Sequence, residues 1–245
     1  MNFIDYFKCK YNKKINEMPQ NKLELSKIVK LVFPENQYYK SLFPKKQIIL
    51  HHTASGRGVN GDFRYWLSTP ERIATCVIID YQGIINQLFS SSYWGHHLGV
   101  KQEFLKSKGF NDYKTRNEQL NQQSIAIEID AWGGLKYKNG KWYAYPNNYS
   151  EEVSKDRVIE YPNGYRGYFG FEKYTNEQIE SVRQLLVFWG NKYKIPLDYN
   201  EDMFEISNAA LSGKEGIWSH TSFREDKSDI FPQKELIDML KNLKK

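Results

Sequence analysis

An α/β fold is what this chain predicts, and three observations predict it. Short apolar, β-branched runs recur at 47–50, 76–79, 124–129 and 216–218, each the length of a strand rather than of a helix. Segments with helical spacing alternate with them, the longest running from Thr175 to Tyr193. Two of the apolar runs end in histidine: Gln47-Ile48-Ile49-Leu50-His51-His52-Thr53 and Gly216-Ile217-Trp218-Ser219-His220. Strands that stop at ligand-capable side chains place chemistry at the end of a sheet. With 245 residues, 40% of them hydrophobic, the chain suits one large domain, or a domain with an appendage, and can fill a real core.

Taken in order, residues 1–44 read as a leading segment packed on the core. Within it Leu23–Val32 is a short helix or an edge element, stopped by Pro34. The first histidine strand gives way to the small polar loop Ala54-Ser55-Gly56, and Gly61–Leu67 suits a helix closed by Pro70. Ala74–Phe89 reads as two strands joined at Tyr81-Gln82-Gly83, and the loop Tyr93-Trp94-Gly95-His96-His97-Leu98-Gly99 brings a second histidine pair. In Ser124–Asp130, Ile125, Ile127 and Ile129 share one face while Ala126, Glu128 and Asp130 share the other. Two acids in an otherwise apolar strand are costly unless they serve something; the plainer alternative is the solvent side of an antiparallel strand.

Residues 136–173 turn to Tyr, Asn and Gly and read as an insertion decorating the core, with a hairpin turn at Asn139-Gly140 and another turn at Asn163-Gly164. Thr175-Asn176-Glu177-Gln178 is a capping box. Ile179, Val182, Leu185, Leu186, Trp189 and Tyr193 then recur at helical spacing up to Pro196. Pro232–Leu240 closes the chain as an amphipathic helix.

Composition narrows the function. A formal charge of +6 favours an anionic partner, but no basic helix or Arg-rich run concentrates it, so nucleic-acid binding is not expected. No apolar stretch approaches the length of a transmembrane helix, so no membrane insertion is expected. Met1–Lys8 lacks the apolar core of a secretory signal, which predicts synthesis in the cytoplasm. Cys9 and Cys76, far apart, suit neither a disulfide framework nor a Cys-rich zinc site. An aromatic share of 16%, with 18 Tyr and 6 Trp, suits stacking on sugars or peptides.

Alternation sends His51 and His52 to opposite faces, so one of them reaches a common metal. With His220 and the nearby Asp229 this makes two imidazoles and one carboxylate, a ligand set of zinc hydrolases that leaves a position open. Glu128 and Lys227 are available as the carboxylate that takes a proton from water and the cation that stabilises an oxyanion.

Five motifs carry a resemblance: Ile-Ile-Leu-His-His-Thr-Ala from Ile48, Val-Ile-Ile-Asp-Tyr-Gln-Gly from Val77, His97-Leu98-Gly99, Ser-Ile-Ala-Ile-Glu-Ile from Ser124, and His220 with Lys227-Ser228-Asp229. In this order they resemble the type 2 N-acetylmuramoyl-L-alanine amidases, the superfamily of phage lysozyme-amidases and peptidoglycan recognition proteins. The resemblance covers roughly 45–135 and 174–235. It implies a central mixed β-sheet flanked by helices, with a zinc site at one end of the sheet, in an amidase domain over 45–245. It implies Zn²⁺ held by His51, His220 and Asp229, with His52 left to packing or support. Glu128 is implied as catalytic acid/base, Lys227 as the group polarising the scissile carbonyl, and His97 as a residue lining the substrate groove; Trp94 in the same loop is expected to bind substrate beside it.

The activity this implies is hydrolysis of the amide between N-acetylmuramic acid and L-alanine in peptidoglycan or muropeptides, by a monomer. The expected setting is a phage-type endolysin acting on the wall after release. A cytosolic muropeptide-recycling amidase and a non-catalytic peptidoglycan-binding module are the alternatives. Three departures stand out. Thr75-Cys76 occupies the neighbourhood where some members place a tyrosine, which shifts the catalytic burden to Glu128. The spacing from His220 to Asp229 is shorter than in some bacterial members, and no separate wall-binding domain is visible.

Overall fold

The structure, a computed structural model, describes residues 28–56, 58–144 and 151–243. Its elements in chain order begin with strand β1 (Ile28–Lys30), β2 (Gln47–His52), helix α1 (Val59–Leu67), β3 (Val77–Ile79) and β4 (Ile85–Gln87). Helices α2 (Gln102–Ser107) and α3 (Tyr113–Gln123) lead directly into β5 (Ser124–Ile129). Then come β6 (Gly134–Lys138), β7 (Lys141–Ala144), β8 (Glu152–Val153), β9 (Val158–Tyr165) and β10 (Tyr168–Glu172). The long helix α4 (Asn176–Tyr193), the short α5 (Asn208–Leu211), β11 (Gly216–Ser219) and α6 (Lys234–Lys241) complete the fold.

Six strands form the central sheet in the order β1-β4-β3-β5-β2-β11, parallel at every pairing except the β3–β4 hairpin. It is therefore the mixed sheet flanked by helices that the resemblance implied. Every residue of β2, β5 and β11 is buried, which explains why these strands read as near-continuous apolar runs: a parallel sheet is covered on both faces. The solvent-facing alternative for Ser124–Asp130 is thereby removed. Glu128 and Asp130 are 7% and 0% exposed, on a strand with parallel partners on both sides.

Lys45 pins the start of this sheet, its buried ammonium donating to the carbonyls of Tyr93, Gln122 and Ser124 at 2.8–3.0 Å. Burial pushes its pKa down to about 8. The β3–β4 turn passes so close to α4 that a Cβ on Gly83 would sit 2.5 Å from the Glu177 carbonyl, and its φ of +75° also calls for glycine.

Helix α4 opens as its sequence predicts. Thr175 Oγ1 accepts from Gln178 N–H at 3.1 Å, and Gln178 Oε1 accepts from Thr175 N–H at 2.9 Å. Its Ile179, Val182, Leu185, Leu186 and Trp189 are buried in the main core. Of the 23–32 stretch, Ile28–Lys30 is an edge strand parallel to β4, while 23–27 lie outside the described residues, as does Cys9. Cys76 is a free, buried thiol.

Residues 134–172 build a second, antiparallel sheet in the order β8-β7-β6-β10-β9, over a small core of Trp132, Leu135, Trp142, Ala144, Val153 and Val158. Asn139 and Gly140, at φ +50° and +80°, make the β6–β7 turn. The second Asn-Gly pair is a correction: Asn163-Gly164 lies inside β9, in the irregular stretch where Gly170 opposes Glu160 while Tyr168 opposes Tyr165. The turn to β10 is made by Arg166-Gly167, at φ +48° and +85°. An Asn-Gly pair advertises tolerance of positive φ, and an irregular strand uses that tolerance as readily as a turn does. Among the described residues, no helix is long and apolar enough to cross a membrane.

Candidate active site

Strand register assembles the site. His51 pairs with Glu128 of β5, and Leu50 pairs with Ser219 of β11, so His220 follows one residue beyond, level with His51. Residues level with one another in a sheet share a face, which puts Glu128, His51 and His220 in one row at the carboxyl ends of three parallel strands. The chain then turns through a 3₁₀ segment at His220–Ser222. Thr221 N–H donates to the Asp229 carbonyl at 2.9 Å, which brings Asp229 back beside the histidines. One donor atom each from His51, His220 and Asp229 lies within 4.8 Å of the others, all three residues buried. This group could hold a metal ion.

Hydrogen-bond partners indicate which nitrogens neutral imidazoles would leave free. His220 Nε2 lies 2.8 Å from the Leu98 carbonyl, which can only accept, so Nε2 carries a proton, and a neutral imidazole then leaves Nδ1 free to ligate. Nδ1 is 2.8 Å from Asp229 Oδ2, a distance bridged by a proton or by a cation. A longer chain fixes His51. Ser124 Oγ–H donates to the Leu120 carbonyl at 2.7 Å, so Ser124 Oγ accepts from His97 Nε2–H at 2.8 Å. His97 Nδ1 is then bare and accepts from His51 Nε2–H at 3.0 Å, which leaves His51 Nδ1 bare, 3.2 Å from Asp229 Oδ2.

Burial, with His220 adding to it, pushes His51 down to about 4, so its imidazole is uncharged at neutral pH. Burial opposes ionisation of Asp229, but His220 and His51 beside it outweigh that and hold its carboxyl well below the usual range. When both imidazoles are neutral, their Nδ1 atoms and a carboxylate oxygen converge as ligand atoms, an arrangement that a bound cation satisfies.

The three ligand candidates, Glu128 and Lys227 line one cavity of about 330 Å³, together with His97, Trp66 and Tyr168. Burial first, then the negative charges of Asp229 and Asp62, raise Glu128 well above the usual carboxylate range; Lys227 works in the opposite direction. His52 also borders the cavity, but its ring is engaged elsewhere: Nδ1 lies 2.8 Å from the Tyr174 hydroxyl. Gly133 makes room for it, since a Cβ there would come within 2.3 Å of His52 Nε2. His97, expected to touch substrate, lines the cavity and also supports His51. Trp94, expected to bind substrate, is 5% exposed, stacks on Tyr39 at 4.0 Å, donates to Ser41 Oγ at 2.9 Å, and is not one of the cavity-lining residues.

Several contributors escaped the sequence reading. Ser124 and the Leu98 carbonyl set the tautomers. Asn121 Oδ1 accepts from His97 N–H and Leu98 N–H, and Asn117 Oδ1 from Val100 N–H, holding the histidine loop against α3. Two asparagines four residues apart on a helix are a signal that could have been read, because short amides one turn apart cap a neighbouring loop. Trp66 and Tyr168 offered none, since neither lies in a motif.

The family model described as N-acetylmuramoyl-L-alanine amidase matches residues 42–233. No curated protein matches the chain. Among solved structures the chain is similar to an AmpD derivative at 12% identity, over 92% of this chain and 99% of that one, with a TM-score of 0.48. PlyL follows at 12% identity, over 87% and 96%, TM-score 0.46. The N-acetylmuramoyl-L-alanine amidase LysC from Clostridium intestinale URNW is matched at 15% identity, over 87% and 96%, TM-score 0.43.

Proposed function

The chain belongs to the N-acetylmuramoyl-L-alanine amidase family, and from that premise we propose that His51, His220 and Asp229 hold a zinc ion beside which Glu128 and Lys227 carry out the hydrolysis. The reaction acts on peptidoglycan, at the amide between N-acetylmuramic acid and L-alanine. One observation carries the metal assignment: three ligand-capable atoms, on two imidazoles and one carboxylate, converge within 4.8 Å in a buried cradle. Zinc bound there supplies Lewis acidity and a water whose pKa falls to roughly 7.

The chain's own residues do the rest. Glu128, level with His51 on the adjacent strand, takes the proton of the attacking water and passes it to the leaving amine of L-alanine. Burial raises its pKa, which makes its carboxylate a stronger proton acceptor than an exposed one. Lys227, in the same cavity wall, offsets the negative charge that develops on the scissile carbonyl oxygen. We read the setting as endolysin-type hydrolysis of intact wall, supported by the net charge of +6, which favours an anionic wall surface.

Metal analysis with wall and muropeptide digestion tests this. About one zinc per chain is expected, and Glu128→Ala should keep the zinc while losing roughly 10²–10⁴-fold in hydrolysis. Zinc-free protein with full activity, or an active Glu128→Ala, overturns the assignment. Digestion of soluble muropeptides but not of intact sacculi overturns the endolysin setting alone.

A further inference from the structure

Six large hydrophobic side chains stand exposed among the described residues, and two of them, Tyr137 and Phe169, at 60% and 61% exposure, line one groove on the second sheet. That groove encloses about 630 Å³, more than the catalytic cavity, and shares no lining residue with it. We propose that it binds the polysaccharide strand of the cell wall, as a glycan site separate from the catalytic centre. The identity of the glycan rests on the amidase reading above.

The groove is built rather than incidental. Tyr137 pairs across the β6–β7 hairpin with Trp142, their rings 4.9 Å apart. Trp142 is anchored in the small core of the second sheet. Gly170 on β10 lets that indole lie against the strand, since a Cβ there would come within 2.5 Å of the ring. The aromatic platform is therefore held in place before any ligand arrives, which lowers the ordering cost of binding.

Around it stand the Lys141–Glu152 ion pair, at 2.7 Å, with Lys155 and Glu160. Two cations and two anions give the rim no net charge and a supply of donors and acceptors. Ring faces bordered by balanced polar groups suit a chain of sugar rings, whose C–H faces stack on aromatics while hydroxyl and N-acetyl groups hydrogen-bond to the rim. A polyanion would call for an excess of cations, and the core of a protein interface is depleted of charge.

The placement also has a use. Tyr168 lines the catalytic cavity and its neighbour Phe169 lines the groove, so β10 presents one side chain to each, on opposite faces of the sheet. A glycan strand held by Phe169 leaves the cavity open to a stem amide.

Titration of the full zinc-loaded chain with soluble β-1,4-linked N-acetylglucosamine oligomers tests the site. The unaltered protein should bind, Tyr137→Ala with Phe169→Ala should bind at least tenfold more weakly, and Tyr137→Phe, which keeps the ring, should bind nearly as well as the unaltered protein. Thermal unfolding of each variant verifies that the fold is retained; both substituted positions are exposed. No binding by the unaltered protein, or equal binding by the double alanine variant, overturns the proposal. Muropeptide hydrolysis by the unaltered protein, measured separately, reports on the amidase reading: its absence with oligomer binding and the variant loss intact would sink that reading and support the groove.

Discussion

His97→Phe isolates the support given to His51. The substitution keeps a planar ring in the cavity wall and removes both ring nitrogens, so His51 Nε2–H loses the acceptor now 3.0 Å away and Ser124 Oγ loses its donor at 2.8 Å. An unpaired buried donor costs about 1–3 kcal/mol. His51 can escape that cost only by shifting its proton to Nδ1, which removes the nitrogen facing Asp229. The penalty therefore falls on metal binding, and zinc affinity should drop about 10- to 100-fold, the usual effect of losing such a supporting partner. His97→Asn, whose Oδ1 can stand near the place of Nδ1, should restore most of the affinity. Competition against a chromogenic zinc chelator at pH 7 measures it, with unfolding of the zinc-free proteins run alongside to separate affinity from stability. If His97→Phe binds zinc as tightly as the unaltered protein, the proton chain from Ser124 to His51 is wrong.

Four further substitutions probe the fold around the site. His51→Ala should lose zinc, whereas His52→Ala should keep it and lose about 2–4 kcal/mol of stability through a cavity and an unpaired Tyr174 hydroxyl; the opposite zinc outcome means the strand register is off by one. Burial, with Asp62 adding to it, raises Asp130 to about 7 although Gly58 N–H pulls it down, against about 3.9 in the unfolded chain. The folded state thus holds that proton more tightly, and stability, full below about pH 4, falls by up to about 4 kcal/mol as pH rises through about 7. Asp130→Asn should flatten that fall in urea titrations at pH 5 and pH 8, and an unchanged slope would count against it. Thr175→Ala removes the α4 cap and the bond from its hydroxyl to the Tyr81 carbonyl at 3.0 Å, for an expected loss of about 1–2 kcal/mol by chemical denaturation with zinc content unchanged; a loss below a few tenths would show the cap to be idle.

What was legible in the sequence is what local chemistry dictates. The strands β2, β5 and β11 could be read because burial on both faces demands uninterrupted apolar side chains, and α4 because a capping box and its apolar stripe are short-range signals. Asn139-Gly140 was read correctly and Asn163-Gly164 was not, since the pair reports permitted dihedrals rather than the structure that uses them. Trp94 looked available for substrate on residue type alone; Tyr39, some 50 residues earlier in the chain, covers it.

Long-range register decides the site, and no local pattern encodes it. His51, Glu128 and His220 are each unremarkable at the end of a strand; only the parallel pairing of β5 and β11 on either side of β2 sets them in one row. The same pairing explains why the two adjacent histidines diverge. His51 turns to the row, where its ring is held by His97 and faces Asp229, while His52 is held by the Tyr174 hydroxyl just before the α4 cap. One dipeptide thus ties the His51–His220–Asp229 group on one face of the sheet to packing on the other. Because Ser124, which begins the proton chain to His51, is itself the first residue of β5, a slip in the register that places Glu128 would also misdirect the nitrogen that faces Asp229.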